Sequence, residues 1–237
     1  MTYIELVGFG PSGWGLTLIA GAGVTILVSV CGFAIGSVVG AVVAWGKISG
    51  RSIVRYAANA YTTGLRGLPD LLVIYLFYFG GSAALTKIGN MLGVEGFIGV
   101  PAFVSACIAL GMVSGAYQAE AFRGGYLAVN KGQLDAARSV GMSNITMFRR
   151  VVGPQVLHFA IPSLGNLWQI ILKDSALVSI TGVMELLHKS KTAAGATYRP
   201  FDFYITAAAI FLLISWLSRF VFKALEAHSE RGTRKDT

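Results

Sequence analysis

Gly132-Gln-Leu-Asp-Ala-Ala-Arg-Ser-Val-Gly-Met-Ser-Asn-Ile-Thr-Met-Phe-Arg-Arg-Val-Val-Gly-Pro154 is a hydrophilic, net basic island between long apolar segments. Gln133 to Val140 is expected to form a short helix with Ala136 and Ala137 as small residues. It should stop at Gly141, where a left-handed cap is easy for glycine. A second helix is expected after Ser143, with Phe148 and Val151/Val152 near one face, Arg149 and Arg150 on another, and an end at Pro154. The result is a compact helix pair with a small-residue face and an aromatic knob, a unit able to seat in a groove.

Outward from this island the chain reads as membrane. Apolar residues make up 54% of 237 and charged residues 13%, and the mean hydropathy is +0.66, far from the balance of a soluble domain. The length suits about five spans of about 20 residues each, which makes the chain an all-α integral membrane protein with no separate soluble domain. The spans are expected at Leu16 to Trp45, from Pro69 to Leu85, at Pro101 to Ala119, at Leu157 to Ile180 (interrupted by Lys173 and Asp174), and at Tyr204 to Phe222. Gly32, Gly36 and Gly40 form one stripe in the first span and predict a close packing face. Lys47 to Arg66 reads as an amphipathic helix that breaks at Arg66-Gly-Leu-Pro69. Thr86 to Gly99 reads as a short polar connection. Glu5 and the lack of Lys or Arg before Lys47 argue against a signal peptide, so the first apolar segment is expected to be retained.

The net charge is +8, but the basic residues sit at the ends of apolar segments, where topology signals belong, and nucleic-acid binding is excluded as a reading. Lys and Arg number four between Lys47 and Arg66, one between Thr86 and Gly99, five between Arg123 and Arg150, three between Lys189 and Arg199 and five from Arg219 onward. That tally places the N-terminus outside and the island and C-terminus in the cytoplasm, with the three charges after span four as its weakest point. Cys31 and Cys107 lie in apolar segments, and His158 and His188 have no ligand-spaced companions, so neither a disulfide nor a metal site is indicated.

Asp135-Ala136-Ala137, three residues, Gly141, nine residues, then Val151-Val152-Gly153-Pro154 resembles the EAA loop of bacterial ABC-importer permeases, with Asp for Glu, Val for Ile at 151 and Gly for Leu at 153. Tyr61 to Asp70, Gly115 to Gly124, Gly132 to Ala137 and Pro162 to Ser175 extend the resemblance over most of the chain. They point to the polar amino acid branch, similar to histidine/lysine/arginine/ornithine, arginine and octopine or nopaline permeases. The resemblance implies a type I importer permease fold, a transmembrane domain over 12–222 with the coupling loop at 131–154, and a cytoplasmic tail at 223–237. It implies an inner-membrane location, a second permease subunit (a paralogue rather than an identical copy), two cytoplasmic ATPases and a periplasmic solute-binding protein. ATP and Mg would then be bound by the ATPase and no cofactor by this chain, which itself is not an enzyme. Gln133, Asp135, Ala136, Ala137, Gly141, Phe148, Arg149, Arg150 and Pro154 would carry the ATPase contact.

Tyr117, Glu120, Trp168, Gln169, Lys173 and Asp174 are the candidates for a solute path. Glu120 either pairs with Arg123, three residues on, or lends negative potential to a path for cationic solutes. Lys173 and Asp174 point about 100° apart on a helix and so need separate partners or water. Asp70, just after Pro69, suits a helix N-terminus, and Trp168 with Gln169 either packs or shapes a gate. Two other classes compete: a passive channel, which needs no docking loop, and an intramembrane hydrolase using Ser114 and His158, for which nothing in the sequence places a base beside the hydroxyl.

Overall fold

The structure, a computed structural model, describes residues 2–10, 13–94 and 96–230. A short first helix, α1 (Tyr3–Val7), is closed by a capping box between Thr2 and Glu5. The charge-free run that follows forms one helix, α2 (Gly15–Ile48), of 34 residues. At 1.5 Å per residue it is about 51 Å long, more than the ~30 Å of a bilayer's hydrocarbon core. The amphipathic segment is α3 (Ser52–Gly67). It ends where predicted: Leu68 is extended and Pro69 caps α4 (Asp70–Tyr75).

A π turn over Leu76–Gly80 joins α4 to α5 (Gly81–Met91), making Asp70–Met91 one continuous 22-residue helical segment. Helix therefore extends six residues into the expected connection, 86–99. Gly89 allows it, because a Cβ there would lie 2.2 Å from Ile98 Cδ1 as the chain folds back. α6 (Ala102–Ala128) follows, then α7 (Lys131–Ser139) and α8 (Asn144–Met147).

The expected end at Pro154 is corrected. α8 runs through a π turn, Phe148–Val152, into α9 (Gly153–Asp174). Proline lacks an amide hydrogen, but in the first turn of a helix segment that loss is tolerated, and the preceding turn widens instead of stopping. Beyond α9 a 3-10 segment, Ser175–Thr181, replaces the end of the expected fourth span and turns at Gly182, φ 88°. Between the fourth and fifth expected spans the chain is largely helix, α10 (Leu186–Thr197), and α11 (Pro200–Glu230) follows. The tail at 223–230 continues α11, while 231–237 lies outside the described residues.

Among the described residues, four segments are long and apolar enough to cross a membrane: Gly15–Ile48, Asp70–Met91, Ala102–Ala128 and Pro200–Ser229. The expected fourth of five spans is α9, which has the length but carries His158, Asn166, Gln169, Lys173 and Asp174. It still packs within the bundle, against α6 and α11.

The main seam joins α2 and α6. Lipid offers little hydrophobic drive between helices, so close contact of small residues must hold them together. A Cβ at Gly32 would meet Leu110 Cβ at 3.1 Å, one at Gly40 would meet Ala119 N at 3.0 Å, and one at Gly111 would meet Ile35 Cγ2 at 2.5 Å. The expected glycine stripe is thus a packing face, met by a second stripe on α6. Cys107 is buried in this core with Val28, Ile74, Leu110 and Ile171, and both cysteines are free thiols. A second cluster, Leu6, Leu18, Leu186 and Phe203, binds α10 to α1 and to the N-terminal ends of α2 and α11.

Candidate functional site

The loop is built from its caps. The Asn130 side chain accepts the Gly132 amide at 2.8 Å and starts α7. Gly141 sits at φ 75°; its amide donates to Arg138 O at 2.9 Å and that of Met142 to Ala137 O at 3.1 Å. Those two bonds are a complete Schellman closure, which needs a left-handed residue at Gly141. Ser143 then accepts from the Thr146 amide at 3.3 Å and starts α8. Two tight caps fix the angle between the helices with only four residues between them.

Ala137 is buried, whereas Gln133, Asp135, Ala136, Arg149, Arg150 and Pro154 are exposed. Asp135 pairs with Arg138 at 3.0 Å on the surface, and Gln155 donates to Gln133, tying α7 back to α9. Val140, Ile145 and Phe148, all within nine residues of the loop, are 71%, 74% and 60% exposed. Beside Phe148, a groove of about 600 Å³ lies between the end of α2 (Trp45) and α8 (Met147).

Among the path candidates, Glu120 is held by Lys47, by Arg123 at 3.0 Å and by Arg66 at 4.0 Å. Both the expected pair with Arg123 and two further cations are present. Arg66 also lies over the Tyr117 ring, 5.2 Å from its centroid. Tyr117 and Asp174 line one small pocket between α6 and α9, together with Ser114. Asp174 has no ion pair among the described residues, and it stands within Coulombic reach of Asp70, the first residue of α4. Lys173, its neighbour, is exposed on another side of the helix.

Trp168 packs edge-on against Phe33 at 5.6 Å and beside Phe222 at 6.3 Å, and its buried Nε1 has no partner among the described residues. Gln169 donates to Ser215 O at 3.4 Å and, with Trp216 and Arg219, lines a cleft of about 720 Å³ between α9 and α11. Ser114 and His158 are not brought together: Ser114 accepts from Gln118 Nε2 at 2.8 Å, and His158 Nδ1 lies 3.1 Å from Ser229 Oγ. No cluster of three or more metal-ligating side chains occurs among the described residues.

Two buried polar residues were not legible as important. Gln118, fully buried, donates to Phe33 O at 3.1 Å and accepts from Ser37 Oγ at 2.7 Å, clamping α2 to α6. Its sequence signal was a glutamine within an apolar run, overshadowed by Glu120. Glu185, also fully buried, caps α10 by accepting from the Leu187 and His188 amides at 2.8 and 2.7 Å, and receives Thr25 Oγ1 at 3.3 Å. Burial pushes its carboxyl up to about 7, against the pull of those donors.

Residues 32–235 match the family described as binding-protein-dependent transport system inner membrane component. The chain is 46% identical to the octopine transport system permease protein OccQ of Rhizobium meliloti, over 99% of both chains. It is 41% identical to the nopaline transport system permease protein NocQ of Agrobacterium fabrum, over 98% of each, and 34% identical to the histidine/lysine/arginine/ornithine transport system permease protein HisQ of Escherichia coli, over 96% and 98%. Among solved structures, an amino acid ABC transporter crystallised with histidines matches at TM-score 0.76 and 31% identity, over 91% of this chain and 95% of that one. The MetNI methionine ABC transporter shares the fold at TM-score 0.66 and 17% identity, over 93% and 96%. The chain belongs to the family of binding-protein-dependent transport system inner membrane components: it is a non-enzymatic permease subunit of an ABC importer, with the ATPase on a separate subunit.

Proposed function

We propose that this permease carries an opine or a cationic amino acid, by alternating access powered through the loop at 131–154. The observation that carries the solute class is Asp174. It is a carboxylate without an ion-pair partner among the described residues, beside Tyr117 and within reach of Asp70, on helices that pack in the bundle interior. Ionisable groups at that depth mark a route or a partner, and a guanidinium or ammonium group satisfies an acidic pair. The full-length likeness to octopine and nopaline permeases supports the same class. Glu120, already surrounded by three cations, is proposed as an anchor and not as the solute's counter-ion.

The remaining assembly follows the same reading. The exposed side chains of Val140, Ile145 and Phe148, with Ala136 and the Arg149/Arg150 pair, dock an ATPase that binds ATP and Mg. Closure of the ATPase pair then turns the helices as rigid bodies between inward- and outward-open states. The cleft between α9 and α11 faces a second, paralogous permease, and a periplasmic binding protein delivers the solute to the outer face. α9 serves as the fifth crossing, the N-terminus is periplasmic, and the transmembrane domain over 12–222 is followed by a cytoplasmic tail. Uptake of labelled octopine, nopaline, arginine and histidine by the reconstituted importer tests the solute class. Transport of only acidic or uncharged solutes would refute it.

A further inference from the structure

The cluster that holds Glu120 contains more positive charge than Glu120 can neutralise. Lys47, Arg55, Arg66 and Arg123 line one polar pocket of about 340 Å³ between α2, α3 and α6, and Glu120 is the only acid lining it among the described residues. The Lys47 side chain is 7% exposed and committed to Glu120, but those of Arg66 and Arg123 are 45% and 43% exposed. Arg66 reaches Glu120 only at 4.0 Å, and Arg55 donates to a single backbone carbonyl, Ser49 O, at 3.2 Å. Asn59 and Thr63 add neutral hydrogen-bonding groups to the same wall. A surplus of guanidinium groups with free donors is the chemistry that holds phosphate.

The surroundings point the same way. Trp45, two residues before Lys47 on α2, and Ile53 and Tyr56, which flank Arg55 in the sequence of α3, are 69%, 86% and 78% exposed. Apolar and aromatic side chains next to a basic pocket at the ends of spans form the arrangement found where headgroups meet acyl chains. We infer that the pocket between α2, α3 and α6 binds a phosphate ester or phosphate ion, held by Arg55, Arg66 and Arg123. Its natural source is the headgroup of an anionic phospholipid in the inner leaflet. The leaflet rests on the orientation given under Proposed function; the anion chemistry does not.

The test uses the complete importer in nanodiscs of phosphatidylcholine mixed with phosphatidylglycerol, with retained lipid read by native mass spectrometry. Each arginine near an anionic surface is worth about a fivefold change in binding, so the double variant Arg55→Gln/Arg66→Gln should retain phosphatidylglycerol about 25-fold less well. Arg55→Lys/Arg66→Lys should restore most of it. A second arm, in phosphatidylcholine alone, measures thermal stabilisation by inorganic phosphate. Stabilisation lost in the glutamine variant supports the site with a free phosphate as its ligand. Equal lipid retention by wild type and variant, together with no phosphate effect, overturns the proposal. Solute uptake in the same preparations separates the two readings: failure of uptake with an intact lipid difference removes only the solute assignment, and the reverse removes only the phosphate site.

Discussion

Gly36 and Gln118 touch across the α2–α6 seam: a Cβ at Gly36 would lie 2.8 Å from Gln118 Nε2, with Ser114 Cβ at 3.0 Å and Gly115 N at 3.1 Å. The same amide is fully used, donating to Phe33 O and Ser114 Oγ while its oxygen accepts from Ser37. The glycine gap and the buried amide are therefore one device. Gly36→Ala should cost about 1–3 kcal/mol through overpacking and the partial loss of a buried hydrogen bond. Gly23→Ala, where a Cβ meets nothing within 4 Å, should be neutral. Thermal unfolding of the detergent-solubilised importer compares the two, and equal melting points would contradict this account of the seam.

Gly141→Val places a β-branched residue at φ 75°, a cost of about 1–3 kcal/mol concentrated in a cap of two hydrogen bonds. The bundle does not depend on that cap. Membrane insertion and yield should stay at wild-type levels while uptake is abolished. Normal uptake would contradict the coupling role of the loop.

Gly153 is the departure from the family's loop pattern that the structure explains. A glycine removes a side chain from an apolar seat, but a Cβ there would lie 2.9 Å from the Phe148 carbonyl oxygen across the π turn. Backbone must move before a larger residue fits. Gly153→Leu is therefore expected to lower thermal stability and weaken ATPase association. Tighter association in a co-purification assay would instead show that leucine improves the seat.

Glu185, in the connection before α10, titrates in the folded protein at about 7 against an ordinary 4.5, because burial disfavours its charge. The folded state thus holds its proton more tightly than the unfolded state. Stability from this group is full below about pH 4.5, falls as pH rises towards 7, and is flat above it. The span corresponds to about 3 kcal/mol, an order-of-magnitude figure. Glu185→Gln should flatten the melting temperature between pH 5 and pH 7, as an order-of-magnitude window. An unchanged slope would assign the pH dependence to other groups.

The spans were legible because composition alone excludes water around them, and the break at Pro69 and the stop at Gly141 were legible because proline and glycine each restrict the backbone in a known way. Helix continuing through Pro154 was not, since a proline that ends one helix and one that sits early in the next look identical in sequence. The 3-10 segment at 175–181 continues the apolar pattern of α9, so hydropathy could not reveal its change of pitch. Among site residues, adjacent Lys173 and Asp174 diverged as helix geometry requires. Gln118, Glu185 and the crowding of three cations around Glu120 depend on contacts between residues up to 160 positions apart, which spacing along one helix does not report.

ATP-driven accumulation of labelled octopine or arginine in proteoliposomes holding the full importer tests the central claim most directly. The account predicts accumulation above the external concentration that requires both ATP and the binding protein. Equilibration down the gradient that is indifferent to ATP would contradict it, and would make the chain a passive pore.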